Sequence, residues 1–298
     1  PIAEQVALAD FKAHSLTLTR VDDYHHTDWA RHLFWSKQGD GFFVMIDRVA
    51  FKADGPYSLT CTWRTPGFAA LDGRHWQSEQ GDHRFTLTSG SDVAATCEVD
   101  TDQGACSPYV LRQRRAGDHQ AGDEGSFQNL LTVRSLDDRA DYDLQSLDER
   151  SALVVANGEP IAWCAAELHP DFTWIPHAHA RAASVMIDRG SLVFAGLTQL
   201  NLSGLSLQSE KPVSLLIELA TGAINLQADP AAQASLTFNS EPIGRGHLIP
   251  SAIRDALTDE VAAWLASHSQ SRATKIEQEI PPQAESDVWR SAWKYDSG

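Results

Sequence analysis

Residues able to do chemistry gather in two short stretches. The first, "DYHHTDWARHLFW" (23–35), directly after Asp22, holds His25, His26 and His32 with Asp23 and Asp28, and Tyr24, Trp29, Arg31 and Trp35 interleaved. The second, "ELHPDFTWIPHAHARA" (167–182), holds His169, His177 and His179 beside Glu167, Asp171 and Trp174. A metal site needs three or four convergent imidazole, thiolate or carboxylate ligands. Neighbours His25 and His26 point to opposite faces of a strand unless the strand ends there. His177 and His179, two apart, share one face. After His179 no acid follows before Asp188, so the carboxylate that would complete a metal site there is missing from its expected place. The alternative is a polar strand end carrying exposed imidazoles. No G-x-S-x-G nucleophile elbow and no phosphate-binding loop occurs. Carboxylates are available for glycoside hydrolysis, but spacing alone does not set their separation.

The aromatic residues support a different chemistry. Trp29, Trp35, Trp63, Trp76, Trp163 and Trp174 all fall in or beside apolar, strand-like segments. A tryptophan buries a large area and belongs by default to a core. At a strand edge beside Arg, His and Asp it can instead stack on a sugar ring. Tyr24, Trp29, Arg31, Trp35 and Trp174 are therefore candidate carbohydrate-binding residues. In "WARHLFWSKQGDGFFVMIDRV", Trp29, Arg31 and Trp35 share parity, so a regular strand presents them on one face.

Short strands must position these residues. "HSLTLTRV", "GFFVMIDRVAF", "YSLTCTW", "HRFTLTS" and "AATCEV" follow one another with period-two alternation, each bounded by Gly, Asp or Pro. In "GFFVMIDRV", Phe42, Val44 and Ile46 face one way and Phe43 and Met45 the other. A strand apolar on both faces is covered on both, which predicts stacked sheets. Residues 101–125, polar and Gly-rich, read as a long surface loop whose "RQRR" is a solvated face or an anion-binding loop. "DDRADYDLQSLDERS" reads as a polar connection. From "ALVVANG" to "ASLTFN" a meander of antiparallel strands follows. In "PSAIRDALTDEVAAWLASHSQ", Ile253, Leu257, Val261 and Trp264 or Leu265 recur at helical spacing, with Ser251 as the expected N-cap. The predicted fold class is mostly β: stacked antiparallel sheets with one C-terminal helix. The β region spans 1–245, with two sub-layers split near 101–125. A helix over 250–270 and a linker over 271–286 follow, and 287–298 reads as the start of a further element such as a propeller blade.

The 298-residue chain carries 40 acidic against 24 basic residues, a net charge of −16. That balance repels nucleic acid on average. No apolar run is long enough to span a membrane. Cys97 and Cys106 could close a short loop in an oxidising compartment, while Cys61 and Cys164 lie in apolar stretches and read as buried thiols. The chain opens on Pro1 and stops inside an aromatic run, so we expect a piece of a longer protein.

"YHHTDWARHLFWSKQGDGFFVMIDRVAFKADGPYSLTCTWRTPG" resembles the β-sheet region of heparinase II/III-like polysaccharide lyases, in which a helical toroid is followed by stacked antiparallel sheets. Trp29 and Arg31, Phe43 and Asp47, and Val49 and Gly55 fit that family's recurring line, and the resemblance covers about residues 8–240. It implies a multidomain, polysaccharide-degrading protein in the extracellular space or periplasm. It also implies that the catalytic Asn, Tyr and Arg sit mostly on a toroid, with the catalytic His at the first sheet; nothing here reads as a toroid and none of these residues is placed in this sequence, so no catalytic residue is carried over. The chain is then a non-catalytic sandwich portion that supports a catalytic domain and touches glycan, with no cofactor. Its expected partners are a polysaccharide or oligosaccharide and the neighbouring domains. One alternative is a metal-dependent, cupin-like β-barrel enzyme using His169, His177 and His179 with a divalent metal. The other is a purely structural module.

Overall fold

The computed structural model describes residues 2–39, 41–90, 93–99, 109–169, 178–229, 231–243 and 248–276, with side chains of the last helix described as far as 268. The strands run in order β1 (Glu4–Asp10), β2 (His14–Tyr24), β3 (Thr27–Ser36), β4 (Phe42–Phe51), β5 (Gly55–Thr65), β6 (Ala69–Asp72) and β7 (His75–Gln80). Next come β8 (His83–Ser89), β9 (Ala94–Val99), β10 (Tyr109–His119), β11 (Glu124–Ser135), β12 (Tyr142–Ser146), β13 (Ser151–Ala156) and β14 (Glu159–Leu168). The series closes with β15 (His179–Asp188), β16 (Ser191–Leu202), β17 (Leu205–Glu218), β18 (Ile224–Gln227), β19 (Ala234–Phe238), β20 (Glu241–Pro242) and helix α1 (Ser251–Ile276).

These strands form three antiparallel sheets. The eight-stranded sheet has the order β1-β2-β3-β4-β11-β8-β7-β6, the three-stranded sheet β5-β10-β9, and the nine-stranded sheet runs from β12 through β17 to β20 with β18 beside β17. The mostly-β class with one C-terminal helix is as the alternation predicts. In β4, Val44 and Ile46 enter one core with residues of the nine-stranded sheet, such as Val154, Cys164 and Met186. Met45, Val49 and Phe51 enter a second core with Leu59 and Cys61 of the three-stranded sheet. The far face of the nine-stranded sheet packs on Leu257, Val261 and Leu265 of α1. The layers are thus three-stranded sheet, eight-stranded sheet, nine-stranded sheet and helix.

Four sequence expectations are corrected. Residues 109–119, read as loop, form β10, the central strand of the three-stranded sheet. Its inward positions include the polar Gln113, whose side chain exchanges amide hydrogen bonds with Asn129 at 2.7 and 3.1 Å, so a buried strand looks hydrophilic. The connection after β11 contains β12, an edge strand with Leu144 as its buried anchor. Ser251 is the first helical residue and not the cap: the carbonyl of Pro250 accepts from the N–H of Arg254 at 3.0 Å. The helix also runs to Ile276, into the stretch expected as linker.

One glycine shows how tightly the sheets meet. Gly196 lies in a bulge of β16 at φ +66°, and a Cβ there would stand 2.6 Å from the Cβ of Ala183 and 3.2 Å from that of Ala7 in β1. Both the left-handed backbone and the lack of space favour glycine. Gly196→Ala should destabilise the fold by about 1–3 kcal/mol. Urea unfolding checks this, and an unchanged midpoint would show that β1 can move aside.

Candidate functional site

The hairpin of β2 and β3 positions the first group of candidate residues. Tyr24 pairs with Thr27, and the two turn residues between them, His25 and His26, have φ of 51° and 62°. Two consecutive left-handed residues make the turn whose twist matches paired strands. Just before it, Asp23 at φ 54° accompanies a register shift between Val21 and Tyr24, and its N–H is accepted by Asp28 Oδ1 at 2.7 Å. His25 and His26 therefore lie in the turn, exposed, while His32 is fully buried on the opposite face of β3. The three imidazoles do not converge.

Tyr24, Trp29 and Arg31 do converge. They line one open groove of about 720 Å³ with Thr19, Asp47 and Thr60, on the face of the eight-stranded sheet next to β5. Arg31 donates from Nε and Nη2 to the two oxygens of Asp47 at 2.6 and 2.8 Å. That bidentate bond, with burial opposing it, holds the guanidinium pKa above its ordinary value. Asp47 is buried, while 56% of the Arg31 side chain is exposed, so the pair is anchored at the carboxylate and open at the guanidinium. Trp29 Nε1 donates to Thr27 Oγ1 at 2.9 Å, which fixes the indole with part of its surface toward the groove. Tyr24 is 44% exposed.

The other candidates lie elsewhere. Trp35 is on the same face of β3 but outside the groove, stacked on Phe43 at 4.8 Å with Lys37 Nζ over its ring. Trp174 and His177 fall outside the described residues. His169 is exposed just beyond β14, and His179 opens β15 half-buried. Among the described residues no three His, Cys, Asp or Glu side chains gather to hold a metal ion. Trp76 and Trp163 are core residues.

Two of the thiols, Cys61 and Cys164, are buried and make poor nucleophiles. Burial, followed by the charge of Asp47, pushes Cys61 up to about 12, and burial also raises Cys164. Cys97 is a free thiol 3.3 Å from the indole nitrogen of Trp76, and Cys106 lies outside the described residues. His14, Asp188 and Ser191 form a buried Ser-His-Asp cluster. Asp188 Oδ2 and Ser191 Oγ both meet the same imidazole nitrogen, Nε2, at 2.7 and 3.3 Å. A catalytic histidine uses one nitrogen for each partner, so this cluster is a lock between β2 and the β15–β16 turn.

Sequence reading missed a charged chain on the opposite face of the hairpin, where the eight- and nine-stranded sheets meet. Glu167 of β14 bonds Arg48 Nη1, and Arg20 Nη2 reaches it at 2.6 Å. Arg48 Nη2 and Arg150 Nη2 both reach Glu124 at 2.7 Å. Burial would raise Glu167, but the two arginines hold it down at about 2. The only sequence signal was parity: Arg20 follows Leu16 and Leu18, and Arg48 follows Val44 and Ile46, on the inward faces of β2 and β4. Below them His32 Nδ1 meets Ser184 Oγ at 2.8 Å, and burial lowers its pKa to about 3.

No family model and no curated protein matches the chain. Among solved structures, the heparan sulfate lyase HepC of Pedobacter heparinus overlaps 53% of this chain and 27% of its own, at 10% identity and a TM-score of 0.42. A heparinase III structure overlaps 53% and 26%, at 16% identity and TM-score 0.40. The heparinase III product of BT4657 overlaps 53% and 26%, at 14% identity and TM-score 0.42. The chain spans about a quarter of the length of these lyases. Overlaps with TM-scores below 0.5 assign neither a fold family nor an activity.

The buried groups set a pH dependence. His32 stays neutral in the fold down to about 3, whereas the unfolded chain takes up that proton below about 6.5. Glu167 stays ionised down to about 2, whereas its unfolded form protonates below about 4.3. In both cases the unfolded state binds more protons, so stability falls as pH falls. The urea midpoint should decline from pH 6.5 downward. His32→Asn, which keeps a partner for Ser184, should flatten the limb above pH 4.5. An unaltered limb in that variant would remove His32 as the group responsible.

Proposed function

We propose that this chain is a non-catalytic β-sandwich portion of a larger, lyase-like, polysaccharide-degrading protein. It contacts a glycan through the β2–β3 hairpin and supports a catalytic domain carried elsewhere. The observation that carries this reading is the groove. It joins a half-buried tryptophan and an exposed tyrosine to a fixed Arg–Asp pair and two threonines. Flat aromatic surface beside preorganised donors and acceptors suits a sugar, whose faces are apolar and whose rim is hydroxyl.

The charge selects the sugar. Arg31 is answered by Asp47 within the groove, and the chain as a whole carries −16. An acidic glycan would meet no unbalanced cation here and a repelling field outside, so the glycan is neutral. The binding needs no cofactor. The polysaccharide resemblance of residues 8–240 favours an extracellular or periplasmic setting and neighbouring domains of the same chain.

Calorimetry against neutral and acidic oligosaccharides tests this reading. A neutral oligosaccharide should bind, and Trp29→Ala should weaken it at least about tenfold, equivalent to ~1.4 kcal/mol. Binding of acidic glycans alone, or full affinity in Trp29→Ala, would refute the assignment.

A further inference from the structure

Arg31 enters the groove with one edge of its guanidinium already used. Its Nε–H and one N–H of Nη2 go to the two oxygens of Asp47 at 2.6 and 2.8 Å. A guanidinium has a second forked edge, made by Nη1 and the remaining N–H of Nη2. That edge has no partner among the described residues, and 56% of the side chain is exposed. Asp47 on β4 and Thr19 on β2 are the cross-strand neighbours of Arg31, and all three line the groove. Because Asp47 is buried, the guanidinium is held at one edge while the other stays open. Trp29 lies two residues back on the same face of β3, about 6.7 Å along the strand, and Thr27 fixes its indole. A pyranose ring lying on that indole brings its hydroxyl rim to the open fork.

We infer that Arg31 selects the linkage of the glycan: the groove takes chains whose units keep free hydroxyls on two adjacent ring carbons, as 1,4-linked pyranoses do, and disfavours 1,3-linked chains. This rests on the saccharide reading above. Two parallel N–H donors need two acceptor oxygens side by side. Gauche hydroxyls on neighbouring carbons supply them. Every unit inside a 1,4-linked chain keeps this pair, at C2 and C3. Inside a 1,3-linked chain the free ring hydroxyls are at C2 and C4, too far apart for one fork when both are equatorial. The oxygen between them is the glycosidic bridge, crowded by the next unit. Such a chain satisfies one donor and covers the other, and a donor left unpaired away from water discriminates strongly. A carboxylate would match the fork in shape, but Asp47 already neutralises the guanidinium and the net charge of −16 opposes an anion.

The test is depletion of the whole chain from solution by long linear polysaccharides in matched pairs: 1,4- and 1,3-linked glucan, xylan, mannan and galactan, with 1,4-linked polygalacturonate as the acidic comparison. At least one neutral 1,4-linked polymer should bind, about tenfold or more tightly than the 1,3-linked polymer of the same sugar. Arg31→Lys keeps a cation for Asp47 but not the fork, so it should bring that ratio to within about twofold. A purely structural role for Arg31 would weaken both members of a pair alike and leave the ratio as it was. Should Arg31→Lys fail to fold, the ratio in the unaltered chain decides. Equal binding of both members, a preference for 1,3-linked polymers, or an unchanged ratio in Arg31→Lys overturns the inference. If binding were still lost in Trp29→Ala, the groove reading would then stand alone. No binding of any neutral polymer, or tighter binding of polygalacturonate, overturns both.

Discussion

The central strand β4 of the eight-stranded sheet has two dry faces, and the other layers follow from that. Val44 and Ile46 on one side of β4 and Met45, Val49 and Phe51 on the other are all nearly inaccessible. Each Å² of such apolar surface is worth about 25 cal/mol when removed from water. No single partner sheet can cover both sides. The three-stranded sheet closes one face and the nine-stranded sheet the other. The nine-stranded sheet, buried by the first on one side, then needs α1 on its second. Trp264 of that helix meets Trp163 edge to face at 4.8 Å.

Polarity is graded along the inner face instead of being excluded from it. The row Leu16, Phe34, Val44 and Leu130 is wholly apolar. The next row, Leu18, His32, Ile46 and Gln128, carries two buried polar groups, each with a protein partner: His32 on Ser184, and Gln128 on the carbonyl of Asp148 at 2.6 Å. The row after that holds Arg20, Ala30 and Arg48, and the last holds Asp28, Ala50 and Glu124. Each step toward the hairpin tip swaps an apolar side chain for one that must be hydrogen-bonded or paired. Burying these groups without partners would cost several kcal/mol apiece, so the ion pairs are a condition of closing the sheets at this end.

This gradient also explains what could be read from sequence. Period-two alternation identified β4 and its stacking because both faces of that strand are apolar. It failed for β10, where Gln113 faces inward and is satisfied by Asn129, and for β12, where only Leu144 anchors an otherwise polar strand. The grouping of Tyr24, Trp29 and Arg31 was legible because all three belong to one hairpin. Asp47, Thr19 and Thr60 were not, since they reach the groove from β4, β2 and β5 through pairing that a linear pattern does not specify. Glu167 was hidden for the same reason: it lies more than a hundred residues from Arg48 and meets it only across the two sheets. Its left-handed backbone, φ 54°, leaves no mark in residue type.

Packing alone does not account for the alanines at the charged end. Buried ion pairs are no stronger for stability than well-packed apolar residues of similar size. A face selected only for closure would continue the Leu–Phe–Val–Leu row to its edge. Instead, Ala30 and Ala50 hold open the middle of two rows whose flanks are arginine and carboxylate, and the same strand presents Trp29 and Arg31 to the groove behind. Because alternate residues of a strand point to opposite faces, four consecutive positions of β3, from Asp28 to Arg31, contribute to the two walls, of the groove and of the charged end. A change in the hairpin's register would therefore exchange the two linings. The left-handed pair His25–His26 and the Asp23–Asp28 hydrogen bond set that register, and with it which side chains of β3 face the groove and which face the charged chain.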